Sequence, residues 1–242
     1  MARATSKKEG KFAIHIPIVL LLVLALALSF VHAAAVDLYG SNITSSTSYR
    51  WSGLTTLEND TTEGGNMTDL DVGTGTSLTD KWAAYYGNVT GFLVAGNATD
   101  FVYRWTWNVS NGNGAICLST NSSLMREDYV GANGSEIDTA WSFSPTDTDS
   151  GNNTFEYTNC TIDIGSTSID NASYVDNGAA GGFMTCALKK NGSTPTEGDM
   201  LFCVELSGGA AAWSGETVNY EIMVPTTEGV ATETYYFYLN LG

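Results

Sequence analysis

Carboxylates are the side chains in this sequence with the most obvious capacity for chemistry, since two of them suffice for glycoside hydrolysis. Close pairs occur at Glu127 with Asp128, Glu136 with Asp138, and Asp147 with Asp149. The chain holds 26 acidic residues, so some pairs must lie near one another by chance. Nothing in the sequence marks any pair as buried or as having a shifted pKa. A glycosidase is therefore not favoured, and we expect a protein that is not an enzyme.

Oxygen ligands with loop-like spacing occur at Asp147, Asp149 and Asn152, which form a weak candidate calcium site. The segment is not an EF-hand, because Gly151 stands where the fifth-position ligand belongs and Thr158 replaces the bidentate acid. A solvated turn accounts for the same residues. Structural calcium is therefore a minor alternative, and no other cofactor is expected.

Histidine is nearly absent, which limits the chemistry further. The two histidines, His15 and His32, lie in or beside the apolar N-terminal segment. If that segment is removed, Ser-His-Asp catalysis, Cys-His catalysis and histidine-ligated metals are all excluded. The sequence also lacks a Gly-x-Ser-x-Gly elbow, a phosphate loop and a dinucleotide fingerprint.

The charge balance argues against a nucleic-acid partner. Ten basic residues face 26 acidic ones, for a formal net charge of −16 and a pI near 4.2. Binding a polyphosphate requires basic neutralisation that this chain does not have. Aromatic residues make up 11% of the chain, which is too many for a disordered acidic tail.

Residues 1–33 have the features of a secretory signal peptide or a membrane anchor. Arg3, Lys7, Lys8 and Lys11 precede an apolar run over residues 12–31, and Val31-His32-Ala33 offers a cleavage site. The run is long enough to span a bilayer if it is not cleaved, and it would be the chain's only contact with the membrane. A pilin-like leader cut near Glu9-Gly10 is a third alternative. All three place residues 37–242 outside the membrane.

Glycosylation sequons of the form Asn-x-Ser/Thr are unusually frequent. Of 18 asparagines, 12 begin a sequon: Asn42, Asn59, Asn66, Asn88, Asn97, Asn108, Asn121, Asn133, Asn152, Asn159, Asn171 and Asn191. Chance predicts about 4 in a chain this rich in Ser and Thr. The excess indicates an N-glycosylated extracellular chain with glycans on strand ends and loops.

The four cysteines, Cys117, Cys160, Cys186 and Cys203, all follow the leader. An even number of cysteines in an exported chain suggests two disulfides, for which three connectivities exist. The order along the chain favours Cys160–Cys186 inside Cys117–Cys203. Zinc binding is not expected, because no Cys-x-x-Cys motif and no histidine accompany these residues.

Alternating apolar and polar residues dominate after residue 78 and predict an all-β fold. About ten short strands separated by turn signals predict an antiparallel β-sandwich over residues 78–242, preceded by the apolar N-terminal helix. Residues 34–77 are predicted to form an extended glycosylated segment. The predicted strands are 81–86, 89–94, 101–109, 115–119, 161–164, 183–188, 200–206, 217–224 and 235–241. A helical turn is predicted only within 122–130, and Asn-Gly turns are predicted at Asn111, Asn113, Asn133, Asn177 and Asn191.

Aromatic residues are divided between core and surface. The alternation places Trp105 and Trp107 on one strand face with Phe101 and Val109, which predicts core packing. Trp213 lies in a loop rich in Gly and Ala, where it could be an exposed contact point.

Two segments resemble those of uncharacterised secreted proteins of archaea. They are Lys81-Trp82-Ala83-Ala84-Tyr85-Tyr86-Gly87-Asn88-Val89-Thr90-Gly91 and the ending Tyr220-Glu221-Ile222-Met223-Val224-Pro225 with Tyr235-Tyr236-Phe237-Tyr238-Leu239-Asn240-Leu241-Gly242. The resemblance covers about residues 78–242 and implies an archaeal cell-surface β-domain that is often N-glycosylated. It implies no activity and no functional residue.

These features together predict a non-catalytic surface glycoprotein that self-assembles into a filament, pilus or surface array. Its partners would be its own copies and its covalent N-glycans. Segment 34–52 is the candidate donor strand for a neighbouring subunit, because a strand can complete another chain's sheet through main-chain hydrogen bonds. A tethered adhesin or carbohydrate-binding module is the alternative, with a secreted glycoside hydrolase and a viral envelope protein as less favoured ones.

Overall fold

A computed structural model describes residues 39–40, 79–90, 94–96, 100–104, 114–124, 128–165, 167–178, 181–192, 194–229 and 232–240. The predicted leader, its predicted cleavage site, Trp105 and Trp107 lie outside the described residues. Asn42, Asn59, Asn66, Asn97 and Asn108 lie outside them as well, as do the turns predicted at Asn111 and Asn113.

The described residues form strands, two helices and one 3-10 turn. The strands are β1 (Tyr39–Gly40), β2 (Trp82–Gly87), β3 (Val94–Gly96), β4 (Phe101–Arg104), β5 (Ala115–Ser119), β6 (Tyr129–Gly131), β7 (Tyr157–Ile164), β8 (Thr167–Asn177), β9 (Phe183–Lys190), β10 (Met200–Glu205), β11 (Ala210–Ala211), β12 (Thr217–Val218), β13 (Tyr220–Pro225) and β14 (Tyr236–Asn240). The helices are α1 (Gly134–Trp141) and α2 (Gly151–Thr154), and the 3-10 turn is Glu197–Asp199.

One large antiparallel sheet organises the chain. Its strand order is β1-β14-β5-β10-β9-β8-β7, and β6 pairs with the part of β9 that lies beyond β8. Smaller antiparallel pairs are β2 with β13, β3 with β4, and β11 with β12. The predicted antiparallel all-β sandwich is confirmed.

The central strands are buried on both faces, which explains why their alternation in the sequence is weak. Every residue of β5 is buried, as are the first five of β10. On one face, Phe202 and Val204 pack with Ile222 and Val224 of the β2–β13 layer and with Trp141 of α1.

The opposite face is covered by the sheet's own far end. Strand β7 reaches back across β5 and β10, which are not its neighbours in strand order. Its inward residues Ile162 and Ile164 pack with the cysteines of this face. The buried Asn240 of β14 donates to the Asp163 carbonyl and accepts from the Gly165 backbone N–H, so the two ends of the sheet meet.

Helix α1 lies outside the segment where a helical turn was predicted. Residues 122–123 form a turn and residues 129–131 a strand, so the prediction for 122–130 is wrong in its described part. The helix begins after Asn133, whose side chain accepts from the Glu136 backbone N–H while the Glu136 carboxylate accepts from the Asn133 backbone N–H. This capping box was readable from the sequence, and it makes Asn133 a helix cap rather than the predicted hairpin turn.

Two strand predictions also need correction. The predicted inward face of 101–109 begins with Phe101 and Tyr103, but both are exposed in β4, at 49% and 59%. The longest strand, β8, was not predicted, because its Asp, Asn and Ser residues have low β-propensity. Pairing with β7 on one edge and β9 on the other overrides that propensity.

Candidate functional site

The first candidate site is the sheet edge formed by β14. Tyr39 of β1 lies opposite Leu239 and Gly40 lies opposite Tyr238, in antiparallel register. Both β1 residues belong to the predicted donor segment 34–52, whose other strand-like part near Tyr49 lies outside the described residues. The edge is thus completed by a two-residue strand about 200 positions away in the chain.

A band of cysteines crosses the middle of the large sheet. Cys117, Cys203 and Cys186 occupy one row across β5, β10 and β9, because Cys203 is the register partner of both others. The structure joins Cys117 to Cys203 and Cys160 to Cys186, which is the connectivity favoured from the sequence. All four are essentially inaccessible, so they staple the core and present no thiol. Two disulfides fit an extracellular or other oxidising location.

The two aspartates proposed for calcium converge on a different cation. The Lys81 Nζ lies 2.7 Å from an oxygen of Asp147 and 2.8 Å from one of Asp149. Asn152 lies in α2 and turns its backbone N–H toward Asp138 instead. The Lys81 ammonium therefore supplies the positive charge that these carboxylates need.

Hydrogen bonds fix the charge state of this cluster. The hydrogen bonds to Asp147 and Asp149 hold the pKa of the buried Lys81 well above its ordinary value. The hydrogen bonds from Lys81 and from the Thr79 hydroxyl lower the pKa of Asp149. Trp82 also donates its indole N–H to the Asp149 carbonyl, so the cluster ties the start of β2 to the loop before α2.

The carboxylate pair Glu136 and Asp138 serves helix ends and an ion pair. Glu136 caps α1 and lies 2.6 Å from the Lys189 ammonium. Asp138 is buried and accepts from the backbone N–H groups of Gly151 and Asn152 at the start of α2. The third predicted pair is only partly described, because Glu127 lies outside the described residues.

Two further acids that the sequence did not single out are used in the same structural way. Glu221 is buried and accepts from the backbone N–H groups of Gly178 and Trp213. Glu233 accepts from the Trp141 indole and from the Thr227 backbone N–H. Both bring distant loops together, which no sequence spacing could have indicated.

Aromatic side chains divide sharply between core and surface. Trp141 is 4% exposed and packs edge to face against Phe202. Trp213 is 61% exposed at the tip of the β11–β12 hairpin, as the sequence had suggested it could be. Its ring lies edge-on to Tyr86, with 6.4 Å between the ring centroids. Trp141 thus offers nothing to a ligand, whereas Trp213 does.

Most of the sequons within the described residues are accessible. Asn88, Asn133, Asn152, Asn159, Asn171 and Asn191 are all exposed. Asn121 differs, because it is half-buried and its side-chain amide donates to the Gly198 carbonyl while its side-chain oxygen accepts from the Ser123 N–H. The surface therefore offers six open attachment points and one closed one.

Comparison with known proteins gives no assignment: no family model, no curated protein and no solved structure matches this chain. Within the described ranges, no group of three or more His, Cys, Asp or Glu side chains is placed to hold a metal ion. No helix in the same part of the chain is long and apolar enough to cross a membrane.

Proposed function

We propose that this chain is a non-catalytic extracellular glycoprotein of an archaeal cell surface, whose copies assemble by exchanging the N-terminal strand. The observation that carries the proposal is the pairing of β1 with the sheet edge β14. A two-residue strand held at an edge by main-chain hydrogen bonds can leave its own sheet and pair with the β14 of another copy.

Three further features support a structural role. The cysteine band staples the centre of the sheet, and each loop closed by a disulfide stabilises the fold by about 3–5 kcal/mol in the chain-entropy model. The buried acids Asp138 and Glu221 hold loops together. The open sequons would cover the surface with glycans, which suits a chain that faces the outside of a cell.

A cysteine trap at the β1–β14 register tests the strand exchange. One population of full chains carries Tyr39→Cys and another carries Leu239→Cys, and the two are mixed before assembly. We expect a covalent dimer on a non-reducing gel, because these Cα positions are direct partners. Tyr39→Cys mixed with Tyr236→Cys is the matched control, since that pair is out of register by three residues.

Electron microscopy of the native protein supplies the second readout. Filaments or sheets that form without a 39–239 cross-link would reject strand exchange as the mode of assembly. Dispersed particles without any cross-link would reject self-assembly itself.

The exposed Trp213 favours a second candidate, a membrane-tethered carbohydrate-binding module. This function predicts a monomer that binds free oligosaccharides. A glycan array probed with the wild-type protein and with Trp213→Ala would detect it, as binding lost in the variant.

A further inference from the structure

The aromatic pair formed by the half-buried Tyr86 and the exposed Trp213 lies near a sequon. Asn88 follows Tyr86 by two residues, at the point where β2 ends, and its side chain is exposed. Alternate residues of a strand point to the same face and lie about 6.6 Å apart. Asn88 lies one residue beyond β2, and the Asn219 backbone N–H still donates to the Gly87 carbonyl there. If the alternation continues to Asn88, its attachment point lies about one side-chain spacing from the pair.

The neighbouring residues show which face this is. A Cβ added to Gly87 would meet the Tyr220 hydroxyl at 3.3 Å and the Tyr220 ring at 3.6 Å. Tyr220 is the register partner of Gly87 and shares a strand face with the buried Ile222. Gly87 therefore lies on the core side of β2. Tyr86 lies on the opposite, outer side, where its half-buried ring also packs on the edge of the core cluster. Glu221 is the register partner of Tyr86 and is buried beneath the β11–β12 hairpin, whose Trp213 N–H it binds. That bond holds Trp213 over the outward face of the β2–β13 pair.

We propose that Tyr86 and Trp213 form a seat for the first sugar rings of an N-glycan attached to Asn88. One face of a pyranose ring carries mainly C–H groups and packs on an aromatic ring, while its hydroxyls stay in water. This explains a large apolar side chain that is 61% exposed on a chain otherwise rich in Ser and Thr. The inference rests on the glycoprotein part of the proposed function.

Among the open sequons, only Asn159 has a similar aromatic residue two positions earlier, Tyr157. There the strand has a register shift between Tyr157 and Cys160, and Asn159 has a positive φ of 74°. The simple alternation that joins Tyr86 to Asn88 is therefore broken. For this reason we assign the seat to Asn88 alone.

Residue-resolved hydroxyl-radical footprinting of the glycosylated full chain tests the seat. The probe is the native N-glycan, and Asn88→Gln removes it. We expect several-fold faster oxidation of Trp213 in Asn88→Gln than in wild type. Asn152→Gln is the matched control, because Asn152 is an exposed sequon with Ser150 two positions earlier, and it should leave Trp213 protected. Equal oxidation of Trp213 in all three proteins, or an unmodified Asn88, would overturn the inference.

Thermal unfolding gives an independent measurement. The melting temperature should fall by about 2–4 °C in Asn88→Gln if the glycan makes a contact of this kind in a domain of about 200 residues. In a Trp213→Ala background Asn88→Gln should cost nothing further, and Trp213→Phe should restore most of the difference. An equal fall in melting temperature in the wild-type and Trp213→Ala backgrounds would show that the glycan does not contact the Trp213 ring.

These results separate the inference from the proposed assembly. Protection of Trp213 that persists in Asn88→Gln and disappears on disassembly would assign the ring to a contact between copies and overturn the glycan seat. The carbohydrate-binding module would be favoured by a different result. In that case the Asn88→Gln variant binds free oligosaccharides, and its Trp213 is oxidised no faster than in the wild type.

Discussion

Cys186 and Cys203 are register partners on neighbouring strands β9 and β10, yet each is bonded to a different cysteine. Cys203 bonds to Cys117 on the neighbouring strand β5, and Cys186 bonds to Cys160 on β7, the last strand of the same sheet, which folds back over its centre. The second bond is therefore what joins the folded-back end of the sheet to its centre. Both bonds lie in one buried cluster with Ile162 and Leu201.

This arrangement predicts disulfide exchange when Cys160 is removed. In Cys160→Ala the thiol of Cys186 lies beside Cys203, so Cys203 can bond to either register partner. We expect oxidative refolding to give two products, with Cys117–Cys203 or Cys186–Cys203, resolved by alkylation and peptide mass mapping. Cys186→Ala is the control. This variant should form only Cys117–Cys203, because the Cys160 that it leaves unpaired does not lie in the row of Cys117, Cys203 and Cys186. A single product from Cys160→Ala would contradict the prediction.

The two disulfides should differ in their contribution to stability. The Cys117–Cys203 bond closes a loop of sequence separation 86, against 26 for Cys160–Cys186. Chain entropy then predicts losses of about 4–5 and about 3–4 kcal/mol for the two double alanine variants. Denaturant unfolding of each variant checks the order, and a larger loss for Cys160/Cys186 would show that native-state packing by β7 outweighs loop entropy.

The Lys81 cluster predicts a specific acid dependence of stability. The folded-state pKa of Asp149 is lowered by hydrogen bonds from Lys81 and Thr79, so its contribution is present above the ordinary aspartate pKa of about 3.9 and is lost as pH falls below it. Lys81→Met should therefore lower stability at neutral pH and flatten the fall below pH 4. Urea unfolding between pH 2 and pH 7 measures this.

Asp149→Asn should have the same flattening effect, and its combination with Lys81→Met should cost less than the two single changes added together. Additive losses would show that the two residues act independently. If the fall in stability below pH 4 is unchanged in both variants, the cluster does not hold Asp149 ionised in the native state.

The fold class could be predicted because the apolar runs in β2, β9, β10 and β14 indicate strands. That indication does not depend on which strands they pair with. The double burial of the central sheet could not be predicted. It depends on β7 folding back over β5, which local alternation does not encode. Strand β8 was missed because residues such as Asp170 and Asn171 have low β-propensity, which its pairing with β7 and β9 overrides.

The partner of the weak calcium candidates Asp147 and Asp149 could not be predicted, because sequence spacing does not reveal the nearest cation. Asp147 and Asp149 do share one, but Lys81 is 66 positions from the first of them. The aromatic seat also combines residues far apart, since Trp213 reaches Tyr86 only through the β11–β12 hairpin. By contrast, the Asn133–Glu136 capping box was local and could have been found.

Tyr235 predicts a loss of stability at alkaline pH. Its buried hydroxyl donates to the Pro225 carbonyl at 2.7 Å, and burial raises the pKa of the phenol. A raised folded-state pKa means that this contribution is present below the ordinary tyrosine value of about 10 and is lost as pH rises beyond it. Tyr235→Phe should cost about 1–3 kcal/mol at pH 7, because the carbonyl loses its donor.

Urea unfolding of Tyr235→Phe should also show a shallower fall in stability above pH 10. Tyr236→Phe is the matched control, since Tyr236 is 41% exposed, and its stability should stay within about 0.5 kcal/mol of wild type. A loss in Tyr236→Phe equal to that in Tyr235→Phe would assign the effect to the strand rather than to the buried hydroxyl.

Asn121 should be the one described sequon that carries no glycan. Transfer of a glycan requires the side-chain amide nitrogen, and in Asn121 this nitrogen donates to the Gly198 carbonyl from a half-buried position. Glycopeptide mass spectrometry of the native protein should find Asn121 bare and the six exposed sequons occupied: Asn88, Asn133, Asn152, Asn159, Asn171 and Asn191. The Asn191 amide also donates, to Asp128, but from an exposed position. Disrupting the 3-10 turn that presents this carbonyl, by Gly198→Pro, should free the amide and raise occupancy at Asn121. Full occupancy of Asn121 in the wild type would mean that glycans are attached before this turn forms, so that the folded surface does not select the sites.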